Sequence, residues 1–551
     1  MNADIIIKGT HIYDGISDEP FPGFIAVTGN RISCVHKSVG IDSNDASFIE
    51  DIHDSHTQII NAGDRLVTAG FHDSHTHLTL AGMYRTCVNL GNAKSEEETA
   101  RMVYDFNGGA DGVKAVPADA WIYGFNWLHL FWDVKELPHK RTLDKYFPDR
   151  PVMLLNSEAH ACWVNSRALD LAGITDETPD PFGGHIERDP EGHATGVLHD
   201  GAMNYCVKLA YEFSMEQEKE YLRSFMKSAA QLGITAVVNV APYFGKEMGS
   251  LQVYSEMEKD GELTTRITLC QDLLGDLDEA LEKSRTYRTE FVRAHMLKSF
   301  VDGVFPVHTA LMLEDYADDP GNKGKPLFNL DATHDAILEA QKRGLWVKLH
   351  AIGDRAIRFA LDCFQEAREV YGDTGCRHAI EHLELVDPAD IPRFGELHVT
   401  PSVQPEHVGL LPTIEDEVYY DILGTERAER TWAFKDLQAS AGYLAMGSDC
   451  PVVDNNPLCG ISRGMTRVHN DGLPKGGWNP TQKLTLAELI RGYTYGSAYG
   501  AGWEDDLGTL ETGKLADILI LDRNLFETTP EEIRNAHVDM TIMNGRVIYA
   551  R

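Results

Sequence analysis

Long apolar runs are missing from this chain of 551 residues: no uninterrupted stretch approaches the roughly 20 residues that span a bilayer. Basic charge is also scarce, with 50 Lys and Arg against 85 Asp and Glu and a formal net charge of −35. Polyanionic surfaces are bound through cationic side chains that release counterions, so neither nucleic acid nor a membrane is expected as a partner. The nine cysteines are odd in number, scattered, and contain no C-x-x-C pair. That argues against a disulfide framework and a structural zinc knuckle, and leaves core packing as their role. The opening Met1-Asn-Ala-Asp-Ile carries neither the basic region nor the apolar core of a signal peptide. A cytoplasmic location is therefore expected. Internal repeats, low-complexity segments and a G-x-G-x-x-G loop are likewise absent.

What is present, 43% hydrophobic and 25% charged residues, is globular. Short β-branched runs lie at both ends. Ala3-Asp-Ile-Ile-Ile-Lys8 and Phe24-Ile-Ala-Val-Thr28 stand near the start; Asp517-Ile-Leu-Ile-Leu-Asp522, Met540-Thr-Ile-Met543 and Arg546-Val-Ile-Tyr549 stand near the finish. The turn Asn544-Gly545 between the last two is a hairpin signal. Neither end is long enough for a core of its own, so residues 1–65 and 503–551 are expected to meet in one composite β-sandwich domain.

Between them run eight further β-rich segments: Leu66–Phe71 leading into His75, Ile234–Val240, Arg266–Cys270, Met296–Val301, Leu345–His350, His378–His382, His398–Val403 and Tyr443–Asp449. Amphipathic stretches such as Glu216–Leu232 and Asp331–Arg343 separate several of them. Eight strands alternating with helices predict an α/β fold, a (β/α)8 TIM barrel over residues 66–502. The spacing tests this. Positions 236 and 268 are 32 apart, but 77 and 236 are 159 apart. The excess, about 120 residues over one unit of a barrel of about 250, predicts an insertion after the first strand at about 90–215. Within it, Trp121-Ile-Tyr-Gly-Phe-Asn-Trp-Leu-His-Leu-Phe-Trp132 is dense in aromatics. It reads either as the core of the insertion or as an apolar wall over the barrel mouth.

In such barrels the C-terminal strand ends converge on one mouth. Here they supply His75 and His77, Lys298, His350, His382 and Asp449. The two imidazoles of His-Thr-His share one side of a strand, because side chains alternate, and nitrogen and oxygen donors suit Zn²⁺. Each piece alone is common in proteins; their agreement in order and position is what counts. Two other motifs fail. Gly460-Ile-Ser-Arg-Gly464 follows a turn instead of a strand, and Gly508 to Lys514 has Leu515 where a phosphate-binding loop needs Ser or Thr.

Several longer motifs carry a resemblance. They are Gly70-Phe-His-Asp-Ser-His-Thr-His77, His160-Ala-Cys-Trp-Val-Asn-Ser-Arg-Ala-Leu169, Lys298-Ser-Phe-Val-Asp-Gly303, His350-Ala-Ile-Gly-Asp354, Ile380-Glu-His382, Ser402-Val-Gln-Pro-Glu-His407 and Gly447-Ser-Asp-Cys-Pro-Val452. Nearly the whole chain resembles the amidohydrolase superfamily, in its YtcJ-like branch of N-substituted formamide deformylases (amidohydrolase family 3). The resemblance implies His75 and His77 on one Zn²⁺, His350 and His382 on a second, and a carboxylated Lys298 bridging them, with a single ion as the alternative. It implies that Asp449 binds the first ion and shuttles the proton of the attacking water. His72 stands where the family usually has an aliphatic residue and is expected to be a hydrogen-bonded neighbour of the ligands.

Motif position makes Trp127, His160, Asn165, Asp302, His308, Gln404 and His407 candidates for orienting a small-molecule substrate. The expected reaction is hydrolysis of an amide, N-formyl or N-acyl C–N bond. The rivals are a deaminase or cyclic-amide hydrolase on the same ligands, and a catalytically silent binding protein. Relatives of this kind are often dimers, so a homodimer is also expected.

Overall fold

The computed structural model describes residues 2–38, 44–109, 112, 120–157, 159–243, 246–411 and 413–551. Its centre is a sheet of eight parallel strands: β1 (Phe71–Thr76), β2 (Ile234–Asn239), β3 (Arg266–Asp272), β4 (Val292–Phe300), β5 (Trp346–Ala351), β6 (Ala379–His382), β7 (Thr400–Val403) and β8 (Ala445–Met446). They are hydrogen-bonded in chain order from β1 to β8. The ring closes just beyond these two strands: Asp449 N donates to His75 O at 2.7 Å and His77 N to Cys450 O at 2.9 Å, with a parallel bridge between Thr76 and Cys450. The fold is the expected (β/α)8 barrel.

Alternation sorts the strand residues. Val237, Ile267, Leu269, Leu297, Val347 and Leu349 pack in the large core shared with the surrounding helices. Their neighbours Ala236, Val238, Cys270 and Met296 form a separate cluster with Trp503. Trp503 donates its indole N–H to Thr268 Oγ1 near the start of β3, at 2.8 Å, so it closes the end of the barrel opposite the ligands. Helix Met215–Leu232 starts in a reciprocal box between Ser214 and Gln217 and stops at Gly233, whose φ of 75° suits a residue without Cβ. No helix among the described residues is long and apolar enough to cross a membrane.

The sandwich expected from the two ends takes the form of one continuous seven-stranded sheet. Its order is Arg546–Ala550, Val538–Met543, Ile518–Leu521, Gln58–Ala69, Ile5–Ile12, Phe21–Thr28, Arg31–Lys37. The sheet curls on itself, since Ile32 N donates to Lys514 O and Ala516 N to Asn30 O, both at 2.8 Å, and Ile5, Ile25, Ile32, Ile518 and Ile542 share one core. Leu66–Ala69, read above as the beginning of the first barrel strand, belongs to this sheet instead. The chain changes sheets at Gly70, where a Cβ would come within 2.2 Å of Thr235 Oγ1.

After β1 the chain builds a third sheet of six strands, ordered Gly184–Arg188, Ala194–Asp200, Ala161–Val164, Val152–Asn156, Ile122–Trp127, Val88–Asn89. The expected insertion at about 90–215 also takes in residues 110, 111, 113–119 and 158, which lie outside the described residues. Trp127, Trp132 and Trp163 pack together in one of its cores, and Trp127 donates its indole N–H to Leu154 O at 2.8 Å. These aromatics are thus the insertion's own interior.

Candidate metal centre and active site

Strand alternation and the turns that follow it bring the polar strand ends together. Asp449 lies just past β8 with φ 63°, and His382 ends β6 with φ 71°, so both residues turn sharply as they leave their strands. Asp449 Oδ1 is 3.1 Å from His75 Nε2 and 3.3 Å from His77 Nε2. Its Oδ2 is 3.9 Å from His382 Nδ1 and 3.7 Å from His407 Nε2. One donor atom each of His75, His382 and Asp449 lie within 4.8 Å of one another. The tightest convergence therefore joins one histidine from each of the two expected pairs. The His350 ring stands 4.4 Å from that of His382 and hydrogen-bonds Gly303 O through Nε2 at 3.1 Å, which makes Nδ1 its lone-pair nitrogen.

The protonation states suit a cation. Burial pulls His77, His350, His382 and His407 below the ordinary imidazole value. Burial would raise Asp449, but His75, His77 and His382 together outweigh it and hold the carboxyl well below its usual range. Lys298 is drawn down chiefly by burial, with Lys348 adding to it. Lys298 Nζ, His382 Nδ1 and His407 Nε2 are buried and have no hydrogen-bond partner among the described residues. Lone pairs without donors around one carboxylate fit a divalent metal. A lysine held toward its neutral amine is also the form that carboxylation requires.

Beneath this group lies a pair that reading the sequence missed. Glu381 Oε2 takes the Nδ1 hydrogen of His75 at 2.5 Å, and its Oε1 is 2.7 Å from Lys348 Nζ, which also donates to Ser74 O at 2.8 Å. The carboxylate fixes the His75 ring with Nε2 facing Asp449 Oδ1, the arrangement by which outer carboxylates orient metal-binding imidazoles. Asp73 plays a similar part for the β8 turn, accepting Ser448 N at 2.9 Å and Ser448 Oγ at 2.5 Å.

A cavity opens over the ligands. Its apolar wall includes Phe300, Val304, Pro306, Ile352, Leu410, Leu411 and Val452, and its polar lining adds His160, Glu384, Glu417 and Tyr419 to the histidines and Asp449. Tyr419 donates its hydroxyl to Glu384. Burial raises Glu384 to about 8 and Glu417 to about 7. Neither glutamate was singled out by motif, because both are read only from what surrounds them.

Of the seven residues expected to orient substrate, His160 and His407 line this cavity and the others do not. Trp127 is held in the insertion's core. Asn165 caps helix Ser166–Ala172 and donates to Phe147 O and Arg150 O, both at 2.8 Å. Asp302 gathers the backbone N–H groups of Leu311, Ile352 and Gly353 at 2.8–3.0 Å, tying the loops after β4 and β5 together. His308 pairs with Asp318 at 2.9 Å. Gln404 is buried 3.5 Å from Glu381 Oε2, on the far side of the ligands. His72, expected to be hydrogen-bonded, has neither ring nitrogen bonded among the described residues. Burial holds it at about 3, so it stays neutral in the barrel interior.

Comparison with known proteins follows the same geometry. Protein LONG AFTER FAR-RED 3 of Arabidopsis thaliana is 31% identical over 99% of this chain and 92% of its own. The putative amidohydrolase YtcJ of Bacillus subtilis is 30% identical over 80% of this chain and 81% of its own. The N-substituted formamide deformylase of Arthrobacter pascens is 26% identical over 79% and 80%. The crystal structure of an uncharacterized metal-dependent hydrolase from Pyrococcus furiosus superposes with a TM-score of 0.72 at 27% identity, covering 96% of this chain and 99% of that one. Residues 58–549 match the amidohydrolase family. With a barrel that closes through its own ligand segments and a His/Asp cluster at the mouth, the chain belongs to the amidohydrolase family of metal-dependent hydrolases.

Proposed function

We propose that the protein hydrolyses a C–N bond, in an N-formyl or N-acyl amide, of a small hydrophobic substrate. The observation that carries this is the placement of the His75–His382–Asp449 cluster at the base of a cavity whose wall is mainly apolar. His75, His77, Lys298, His350, His382 and Asp449 would hold two Zn²⁺, with carboxylated Lys298 between them. Bound Zn²⁺ supplies an acidified water and a Lewis acid for the carbonyl oxygen.

The chain does the rest. Glu381 holds His75 in one tautomer. Asp449 takes the proton of the attacking water and delivers it to the departing nitrogen, acting as base and then as acid. Phe300, Ile352 and Val452 exclude bulk water and accept the apolar part of the substrate. The name of the Arthrobacter relative supports N-substituted formamides as the first compounds to try. We assign the protein to the cytoplasm, as a homodimer acting on small molecules.

The test is a screen of zinc-reconstituted protein against N-formyl, N-acyl and cyclic amides, with carboxylate and ammonia measured separately. Carboxylate plus amine supports the reading. Ammonia release would make the protein a deaminase, and failure to bind any divalent metal would overturn hydrolysis altogether.

A further inference from the structure

Two carboxylates in the cavity have no part in the chemistry above. Glu384 follows β6 through His382 at φ 71° and Leu383 at φ 54°, two left-handed residues in a row. Such backbone is costly for residues with a Cβ and concentrates at functional sites. Here it leads Glu384 into the cavity lining, where the Glu384 carbonyl accepts Trp432 N at 2.7 Å. Glu417 joins the lining from the segment after β7.

Tyr419 ties the two together. Its hydroxyl donates to Glu384 Oε2, and its backbone N–H donates to Glu417 Oε1 at 3.1 Å, beside Val418 N at 2.9 Å. Among the described residues no Lys or Arg nitrogen comes within 4.0 Å of either carboxylate, and the one ring nitrogen in that range is His469 Nε2, 3.8 Å from Glu417 Oε2. Glu417, Asp302 and Asp449 act on Glu384 as like charges. Buried charges are ordinarily paired. Burial raises both carboxyls, and a cation beside them would offset that cost.

His407 is a separate sign of a polar guest. It lines the same cavity at 8% exposure, and its Nε2 is buried without a hydrogen-bond partner among the described residues. The rest of the wall, with Phe300, Ile352 and Val452, is apolar. A guest that matches both parts is an apolar chain with a positive end.

We propose that Glu384, supported by Glu417, is a specificity residue that binds an ammonium group of the substrate, and that the substrate class is N-acylated diamines. One nitrogen is then in the amide and the other is basic and free. A formyl group has no chain of its own, so in an N-formyl substrate the ammonium is carried on the amine side. The formal charge of −35 favours the approach of such a cation. This rests on the amide-hydrolysis reading, and the experiment separates the two.

Mono-N-formyl-diaminobutane, N-formyl-pentylamine and N-formyl-aminobutanol have one length and end in ammonium, methyl and hydroxyl. They are compared by kcat/KM on zinc-loaded protein at neutral pH, and by calorimetric binding to zinc-loaded Asp449→Asn with and without Glu384→Gln. The ammonium compound should exceed each of the others about tenfold to a hundredfold, the worth of a buried hydrogen bond to a charged group. Glu384→Gln, which still accepts from Tyr419, should bring that ratio close to one, and Glu417→Gln should lower it by a smaller factor. If Glu384→Gln does not fold, the wild-type ratio and Glu417→Gln decide. Absence of an ammonium preference in wild type, or the same preference in Glu384→Gln, overturns the proposal and leaves hydrolysis standing. An ammonium preference seen in binding without turnover upholds it and removes hydrolysis. Failure to bind any of the three compounds removes both.

Discussion

Histidines at the barrel mouth and histidines of the inserted sheet are treated in opposite ways. In the mouth, His350, His382 and His407 are buried, pulled toward the neutral form, and grouped around a single carboxylate. In the insertion three of them have a close carboxylate each: His160 with Asp200, His185 with Asp180, and His193 with Asp176, at 2.6–2.7 Å. The first arrangement leaves lone pairs for a cation to collect. The second uses the imidazole as a donor and fixes its ring. The difference teaches that histidine count says little about metal binding; the ratio of imidazole to carboxylate within reach says more.

The sharpest break of this comparison is Asp449→Asn, which removes the one charge that the mouth histidines share. Turnover should fall about 10²–10⁴-fold, the usual worth of a positioned acid–base group, while metal content measured by atomic absorption is kept. Next is Lys348→Met, which leaves Glu381 buried without the ammonium 2.7 Å from it. A cost of about 3–5 kcal/mol is expected in urea unfolding, with metal affinity about 10–100-fold weaker because His75 loses its fixed orientation. Trp163→Ala should cost about 3–5 kcal/mol through a cavity in the insertion core. Its metal affinity should match wild type, and a loss there would mean that the two regions do not stand apart.

The smallest effects concern acid, and a histidine at the foot of the barrel and one in the insertion should respond with opposite sign. His378, at the foot of β6, accepts Val347 N at Nδ1 and bonds Gln341 Oε1 through Nε2, and burial holds it at about 3. Its folded value lies below the unfolded one, so its stability is present above about 6.5 and is lost as pH falls toward 3. Between pH 6.5 and 5 this site alone should remove about 2 kcal/mol, and His378→Asn should flatten that slope in urea midpoints. The exposed His193 is raised, first by its bond to Asp176. Its contribution is present below the ordinary imidazole value and fades as pH rises through the raised one, so His193→Asn should lose a little at pH 5.5 and nothing at pH 9.

The barrel was legible because its strands alternate β-branched runs with ionisable residues at a near-constant spacing, and His350, His382 and Asp449 stand where that spacing ends a strand. Glu381 was not legible, for a physical reason. Period-two alternation assigns neighbours 381 and 382 to opposite faces, yet the left-handed turn at His382 lets both reach the site. Asp200 was hidden because its partner is chosen by antiparallel pairing across 40 residues. The strand Gln58–Ala69 was cut short in the reading because Asn61, Gly63, Asp64 and Arg65 break its pattern, and only the packing of both ends supports it. Trp127 was ambiguous for the opposite reason, since an aromatic run looks alike as a core or as a wall.

The seam of the barrel has a consequence in time. The free edge of β1 takes its backbone hydrogen bonds, among the described residues, from Asp449 and Cys450, about 370 residues later in synthesis. At about 5–20 residues per second the growing chain carries that open edge for roughly 20–75 s. Exposed edges are where chains adhere to one another, so the interval is the chain's period of greatest risk. It ends with the same few atoms that assemble the ligands. A polypeptide stopped short of residue 449 thus lacks both a closed barrel and a place for a metal, and quality control that reads the open edge also reads the missing site.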